Sequence, residues 1–203
     1  MQLNADDILA DAVLALAIDL PALVAATSIW TSPEIVQPLR AIHPDAAVCP
    51  DVRRYKRQQG EVRRKRGDDG ARLDDNTIAN RIAKQAMGLT GLAKAFAVCH
   101  IWPDSCSDVR YHTSLANLVL LPQALATLSD HNAPVIAALQ YRSFELYGWH
   151  PRESAAPTRP QRYPSNWRSA QPAPVGLAVR LARKLSACGG GMPNKRSPRK
   201  GER

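Results

Sequence analysis

Cysteine is scarce in this chain, with four among 203 residues, and none of the four stands in a tight Cys-x-x-Cys pair. A disulfide lattice and a close-spaced zinc knuckle are therefore not expected. Uninterrupted apolar runs are lacking too. The first stretch, "MQLNADDILADAVLALAIDLPALVAA", is apolar, but it has no basic leader and is broken by Asp11, Asp19 and Pro21. A bilayer span needs about 20 apolar residues, so the expectation is a soluble, cytoplasmic protein with reduced thiols and no membrane partner. No internal repeat is present.

Basic residues are nearly absent from the first quarter. Residues 1–50 hold one base, Arg40, against six acids. Residues 51–66 then hold eight bases, Arg53, Arg54, Lys56, Arg57, Arg63, Arg64, Lys65 and Arg66, against Asp51 and Glu61. Residues 67–150 are close to neutral, and 151–203 carry twelve bases against two acids. The net charge of +9 thus sits in two blocks. Such blocks favour polyanions, and nucleic acid is the commonest of these. The first block supplies sequence-independent phosphate contacts; Tyr163, Trp167 and the arginines of the second offer another grip.

The pattern divides the chain into four parts. Residues 1–50 read as an acidic helical part, with Asn4 or Asp6 capping a first helix along Ile8, Leu9, Val13, Leu14 and Leu16, and with Ser32 capping a later helix that starts at Pro33. Residues 51–72 read as a basic linker or hairpin. Residues 73–150 contain a helix capped by Asp75 or Asn76 and ended at Gly88, a strand near Ala95–Cys99, a loop of about 15 residues, a strand "NLVLLP", a short helix "QALATL" and a longer one over about 133–148. Residues 151–203 are Pro- and Arg-rich, hold one candidate helix, "VGLAVRLARKL", and otherwise read as a largely disordered basic tail.

The chemistry concentrates at "AFAVCHIWPDSC", where His100 ends an apolar strand, and at Asn117, where the second strand opens. The stretch "VCHIWP…NLVLLPQALATLSDH", Val98 to His131, resembles the ββα-metal core of HNH endonucleases. The resemblance implies an α+β fold: a two-stranded antiparallel hairpin plus a helix, flanked by further helices. It implies a divalent metal ion, Mg²⁺ or Mn²⁺ with Zn²⁺ or Ni²⁺ as alternatives, and hydrolysis of nucleic-acid phosphodiesters, double-stranded DNA foremost. His100 would be the general base, and Asn117 would hold the loop and orient the histidine by a side-chain hydrogen bond. The usual helical metal ligand falls about nine residues after the asparagine, which here is Ala126. The replacement ligands are Asp130 and His131, one turn further on at about 1.5 Å per residue, or His112 in the loop.

Other readings stand beside this one. His100 can be a satisfied core histidine, Asp130 the cap of the next helix, and Tyr141, Phe144, Tyr147 and Trp149 core packing at helical spacing. Cys99, His100, Cys106 and His112 offer a zinc set, against which Cys99 and Cys106 are ordinary buried thiols. A nucleic-acid-binding or regulatory protein that kept the fold and lost catalysis is the alternative that Ala126 motivates, and an N-terminal interaction module is a third. The sequence leaves a homo-oligomer open.

Overall fold

A computed structural model of the chain describes residues 12–54, 71–89, 94–172 and 174–189. Ten helices and strands follow in order: α1 (Leu20–Thr27), α2 (Pro33–Ile42), β1 (Asp51–Arg53), β2 (Arg72–Asp74), α3 (Thr77–Ala86), β3 (Phe96–His100), β4 (Leu118–Pro122), α4 (Leu128–His131), α5 (Ala133–Tyr147) and α6 (Leu177–Gly189). The expected mixture of helices with a small antiparallel sheet is present. Among the described residues, no helix is long and apolar enough to cross a membrane.

Strand β3 pairs antiparallel with β4 from Phe96↔Pro122 to His100↔Leu118. An isolated bridge, Ile29↔Leu120, adds a third backbone to the other edge of β4. With two faces and both edges covered, β4 reads as a continuous apolar run and is buried from Leu118 to Leu121. Helix α3 packs Ala79, Ala83 and Met87 against Ile29, Val98, Leu118 and Leu120. The larger cluster gathers Trp30, from the segment between α1 and α2, with Ile35, Leu39, Ile82, Leu121, Leu139 and Tyr147 from α2, α3, the sheet and α5.

Local chemistry explains most helix ends. Ser32 Oγ accepts from Glu34 N with Pro33 at the first helical position, as expected. Gly88, at φ +68°, closes α3. The cap of α3 differs from expectation. Asn76 holds the N-cap position at φ +66° without a side-chain bond, and Asp74 supplies the acceptors instead. Its two oxygens take the N–H groups of Thr77, Ile78 and Ala79 at 2.9–3.3 Å. Asn132, not Asp130, caps α5, by accepting from Val135 N. The expected helix "QALATL" is a 3₁₀ turn, Gln123–Leu125, followed by the four-residue α4.

One expectation for the flanking parts is corrected. Strands β1 and β2 pair in parallel, Asp51↔Arg72 to Arg53↔Asp74, so they are not themselves the two arms of a hairpin. The stretch between them, expected as a basic linker or hairpin, lies outside the described residues from 55 to 70 with Lys56, Arg57, Arg63, Arg64, Lys65 and Arg66, as do Ile8 and Leu9 of the first expected helix. Leu14 and Leu16 are exposed. The stretch 151–172, expected to be largely disordered, runs as an extended strap. Arg168 N donates to Ala25 O and Gln171 N to Trp30 O, while Trp167 meets Trp30 edge to face at 5.8 Å. Proline holds the strap extended and lowers the entropy lost on ordering it, and the aromatics anchor it. Tyr163 and Trp167 therefore serve packing. Beyond them, α6 buries Leu177 and Leu181 against the core.

Candidate functional site

The strand β3 delivers its last residue to a cleft of about 160 Å³ lined by Arg53, Asn76, Ala97, Val98, Cys99, His100, Pro103, Ala126, Thr127 and Asp130. Four segments that are distant in sequence meet there: the end of β1, the start of α3, the end of β3, and the turn leading into α4. His100 is 4% exposed, so the imidazole is a wall of the cleft and not a surface group.

One hydrogen bond sets its chemistry. His100 Nε2 lies 2.9 Å from the backbone oxygen of His112. A carbonyl only accepts, so Nε2 carries the proton and Nδ1 keeps the lone pair. Burial, helped by the neighbouring His112 and by the positive charge of Arg53, pushes the His100 pKa down to about 4. The ring is neutral at pH 7, and a neutral imidazole with a free lone pair is the form a general base requires.

Asn117 does half of what was expected. Its Oδ1 accepts from Trp102 N at 3.1 Å, and its Nδ2 donates to Ser105 Oγ at 2.7 Å and to Tyr111 O at 3.1 Å. It staples both ends of the 101–117 loop, fully buried. The hydrogen bond on His100 comes from the main chain of His112 instead, so Asn117 acts on the histidine only by shaping the loop. Asn117→Ala is expected to cost roughly 2–4 kcal/mol, because the buried Trp102 N–H loses its acceptor at about 1–3 kcal/mol, while Tyr111 O and Ser105 Oγ each lose one of two partners. Urea denaturation at neutral pH measures it; a loss under ~1 kcal/mol would show that the loop is held elsewhere.

The remaining predicted residues divide. Asp130 is exposed and lines the cleft, and the cap it was expected to form belongs to Asn132. His131, exposed at the end of α4, is not among the cleft-lining residues. His112 is fully buried, with Nε2 3.2 Å from Asp74 Oδ2; its ring is committed to that carboxylate and is withdrawn from the cleft. Burial holds its pKa below the usual histidine value, against the pull of Asp74. Arg53 stands at the cleft, whereas Arg54 braces the parallel strands through Asp75 and Leu73 O. Burial pushes the Cys99 thiol up to about 11, so at neutral pH it is protonated, a buried thiol of the kind expected. Among the described residues no three His, Cys, Asp or Glu side chains gather to hold a metal ion, the set Cys99, His100, Cys106 and His112 included.

Sequence reasoning missed Asp74 and the special place of Arg53. The string "DDNT" offers four capping-type residues in a row and cannot say which carboxylate turns inward. Arg53 was legible only as one of a basic block. Comparison of the chain with protein-family models, with curated proteins and with solved structures gave no match.

Proposed function

We propose that the chain is an HNH-like endonuclease that hydrolyses nucleic-acid phosphodiester bonds, double-stranded DNA foremost. The observation that carries the reading is the cleft, where a buried, tautomer-fixed histidine faces an arginine and a carboxylate from separate segments. The arginine supplies affinity for a phosphate. The histidine supplies a base. A phosphate bound beside His100 brings negative charge, which raises the imidazole pKa from about 4 and strengthens the base when substrate is present.

In the hydrolysis, a water oxygen bonds to phosphorus while its proton passes to Nδ1 of His100. The bond from phosphorus to the departing sugar oxygen breaks, and that oxygen takes a proton from solvent. Arg53 offsets the charge that grows on the non-bridging oxygens. The described residues offer no all-protein cage, but a hard, hydrated cation needs only one or two carboxylates and the substrate's own phosphate oxygens. Asp130 is the carboxylate the cleft provides, which fits Mg²⁺ or Mn²⁺ better than tetrahedral Zn²⁺. When bound there, the ion would stabilise charge on the phosphate and on the departing oxygen. The strongly basic residues from Arg53 onward would grip the duplex beyond the scissile phosphate, with salt-sensitive affinity.

Ala126, which stands where the resemblance places a helical metal ligand, favours a second reading, a nucleic-acid-binding or regulatory protein that keeps the fold without the chemistry. Nicking of supercoiled plasmid with Mg²⁺, Mn²⁺, Ni²⁺ or Zn²⁺ decides between them. Metal-dependent nicking is expected, reduced about 10²–10⁴-fold by His100→Ala, the usual share of a general base, with the variant still folded by circular dichroism. No cutting with any metal, together with salt-sensitive DNA binding by both proteins, would overturn the enzyme reading in favour of the second.

A further inference from the structure

We infer that His112 and Asp74 act as a positioning pair that locks His100 in its base-competent tautomer. The inference rests on the nuclease reading only for its kinetic consequence. His112 touches His100 twice, once through its backbone oxygen, 2.9 Å from Nε2, and once through its ring, which stacks on the His100 ring at 5.1 Å with an 18° tilt.

His112 is itself tied down. Its Nε2–H donates to Asp74 Oδ2, and Asp74 is held by three N–H groups of α3. A rigid path thus runs from the start of α3, through one carboxylate and one imidazole, to the wall of the cleft. The other ring nitrogen of His112, Nδ1, is buried with no partner. The other tautomer or a doubly protonated ring would place an N–H there unsatisfied, at a cost. The His112 ring thus has one stable state, and it holds the residue whose carbonyl meets His100.

The chemical consequence concerns His100. Residue 112 lies in the irregular loop between β3 and β4. Its N–H donates to Asp108 O, and Thr113 and Ser114 beside it are tied to residues 45–49, so the loop keeps its place without the ring, and the bond to Asp74 adds the last restraint on the tilt of the 112–113 peptide. Once the ring of residue 112 is released from Asp74, that carbonyl selects the proton position on His100 less strictly. In the other tautomer Nδ1 carries the proton and has no lone pair to accept one from water. Substrate affinity is set by Arg53 and the basic block, so the loss falls on kcat and spares KM.

The experiment is long-range nitrogen-15 NMR of the histidine rings in the full chain at pH 7, with kinetics on the same samples. In the wild type, His100 is expected as the single Nε2–H tautomer; finding the Nδ1–H form overturns the inference without any variant. His112→Phe keeps a flat stacked ring but gives Asp74 no donor, so mixed tautomers with averaged nitrogen shifts are expected, with kcat down about 10–100-fold, as for outer positioning partners, and KM unchanged. His112→Gln restores a donor and is expected to recover most of both. His112→Leu, read in the same way, serves should the phenylalanine variant fail to fold. A folded variant with the wild-type tautomer overturns the inference whether or not DNA is cut. Tautomer dependence in a chain that cuts no DNA supports it and removes the nuclease reading alone.

Discussion

Asp74→Ala is expected to remove roughly 3–5 kcal/mol of stability, which is a large part of what a domain of this kind holds in reserve. Three N–H groups at the start of α3 lose their acceptors, and loss of a helix cap costs about 1 kcal/mol by itself. His112, fully buried, then has neither ring nitrogen satisfied, which adds the penalty of an unpaired buried donor, about 1–3 kcal/mol. Asp74→Asn keeps an acceptor for the helix and for His112 and should lose clearly less. Urea unfolding at pH 7 with both variants gives the comparison. Equal, small losses would mean that α3 and His112 find other partners.

Acid is expected to destabilise the protein well above the pH at which carboxylates titrate. His100 is buried neutral, with its folded pKa near 4 against 6.5 in an open chain, and His112 is shifted in the same direction. Below pH 6.5 the unfolded chain therefore binds protons that the folded chain refuses. The stability contributed by a neutral buried imidazole is complete above 6.5 and is lost as pH falls toward 4. For His100 alone the shift corresponds to about 3 kcal/mol. The groups that face it are the His112 ring and Arg53, which resist protonation, and the His112 carbonyl and Asp74, which favour it; burial is the largest influence. The carboxyls of Asp108 and Glu145 are lowered by their arginine and tyrosine partners, so their contribution disappears at lower pH. Denaturation midpoints between pH 7.5 and 4.5 should fall steeply for the wild type and less so for His100→Gln. Parallel curves would place the acid-sensitive group elsewhere.

What the sequence could reveal follows from the range of each interaction. His100 at a strand tip, Ser32 before Pro33, and Gly88 after an amphipathic helix all depend on neighbours within a few residues, and each appears where the pattern put it. The pair His112–Asp74 spans 38 positions, and nothing local marks a loop histidine as the partner of a helix cap. The parallel pairing of β1 with β2 was hidden for the same reason, since a three-residue strand has no pattern of its own. The strap misled for a different cause. Its composition resembles that of a disordered tail, but Tyr163 and Trp167 are enough to fasten it, through Tyr141 at 4.9 Å and Trp30 at 5.8 Å. Of the cleft, the histidine and Asp130 were legible; their meeting with Arg53 was not.

The strap also sets the order in which the molecule can be completed during synthesis. Asn166 reaches back to the carbonyl of Ala22, 144 positions earlier, and Trp30 waits for Trp167 and Gln171. As the chain leaves the ribosome, the sheet and α5 can assemble while the indole of Trp30 still lacks its cover. The N-terminal helices can close onto β4 and α5 earlier, but their strap-facing side stays uncovered until the last fifth of the protein has emerged, so a nascent chain stalled before residue 166 presents apolar surface that the finished protein conceals.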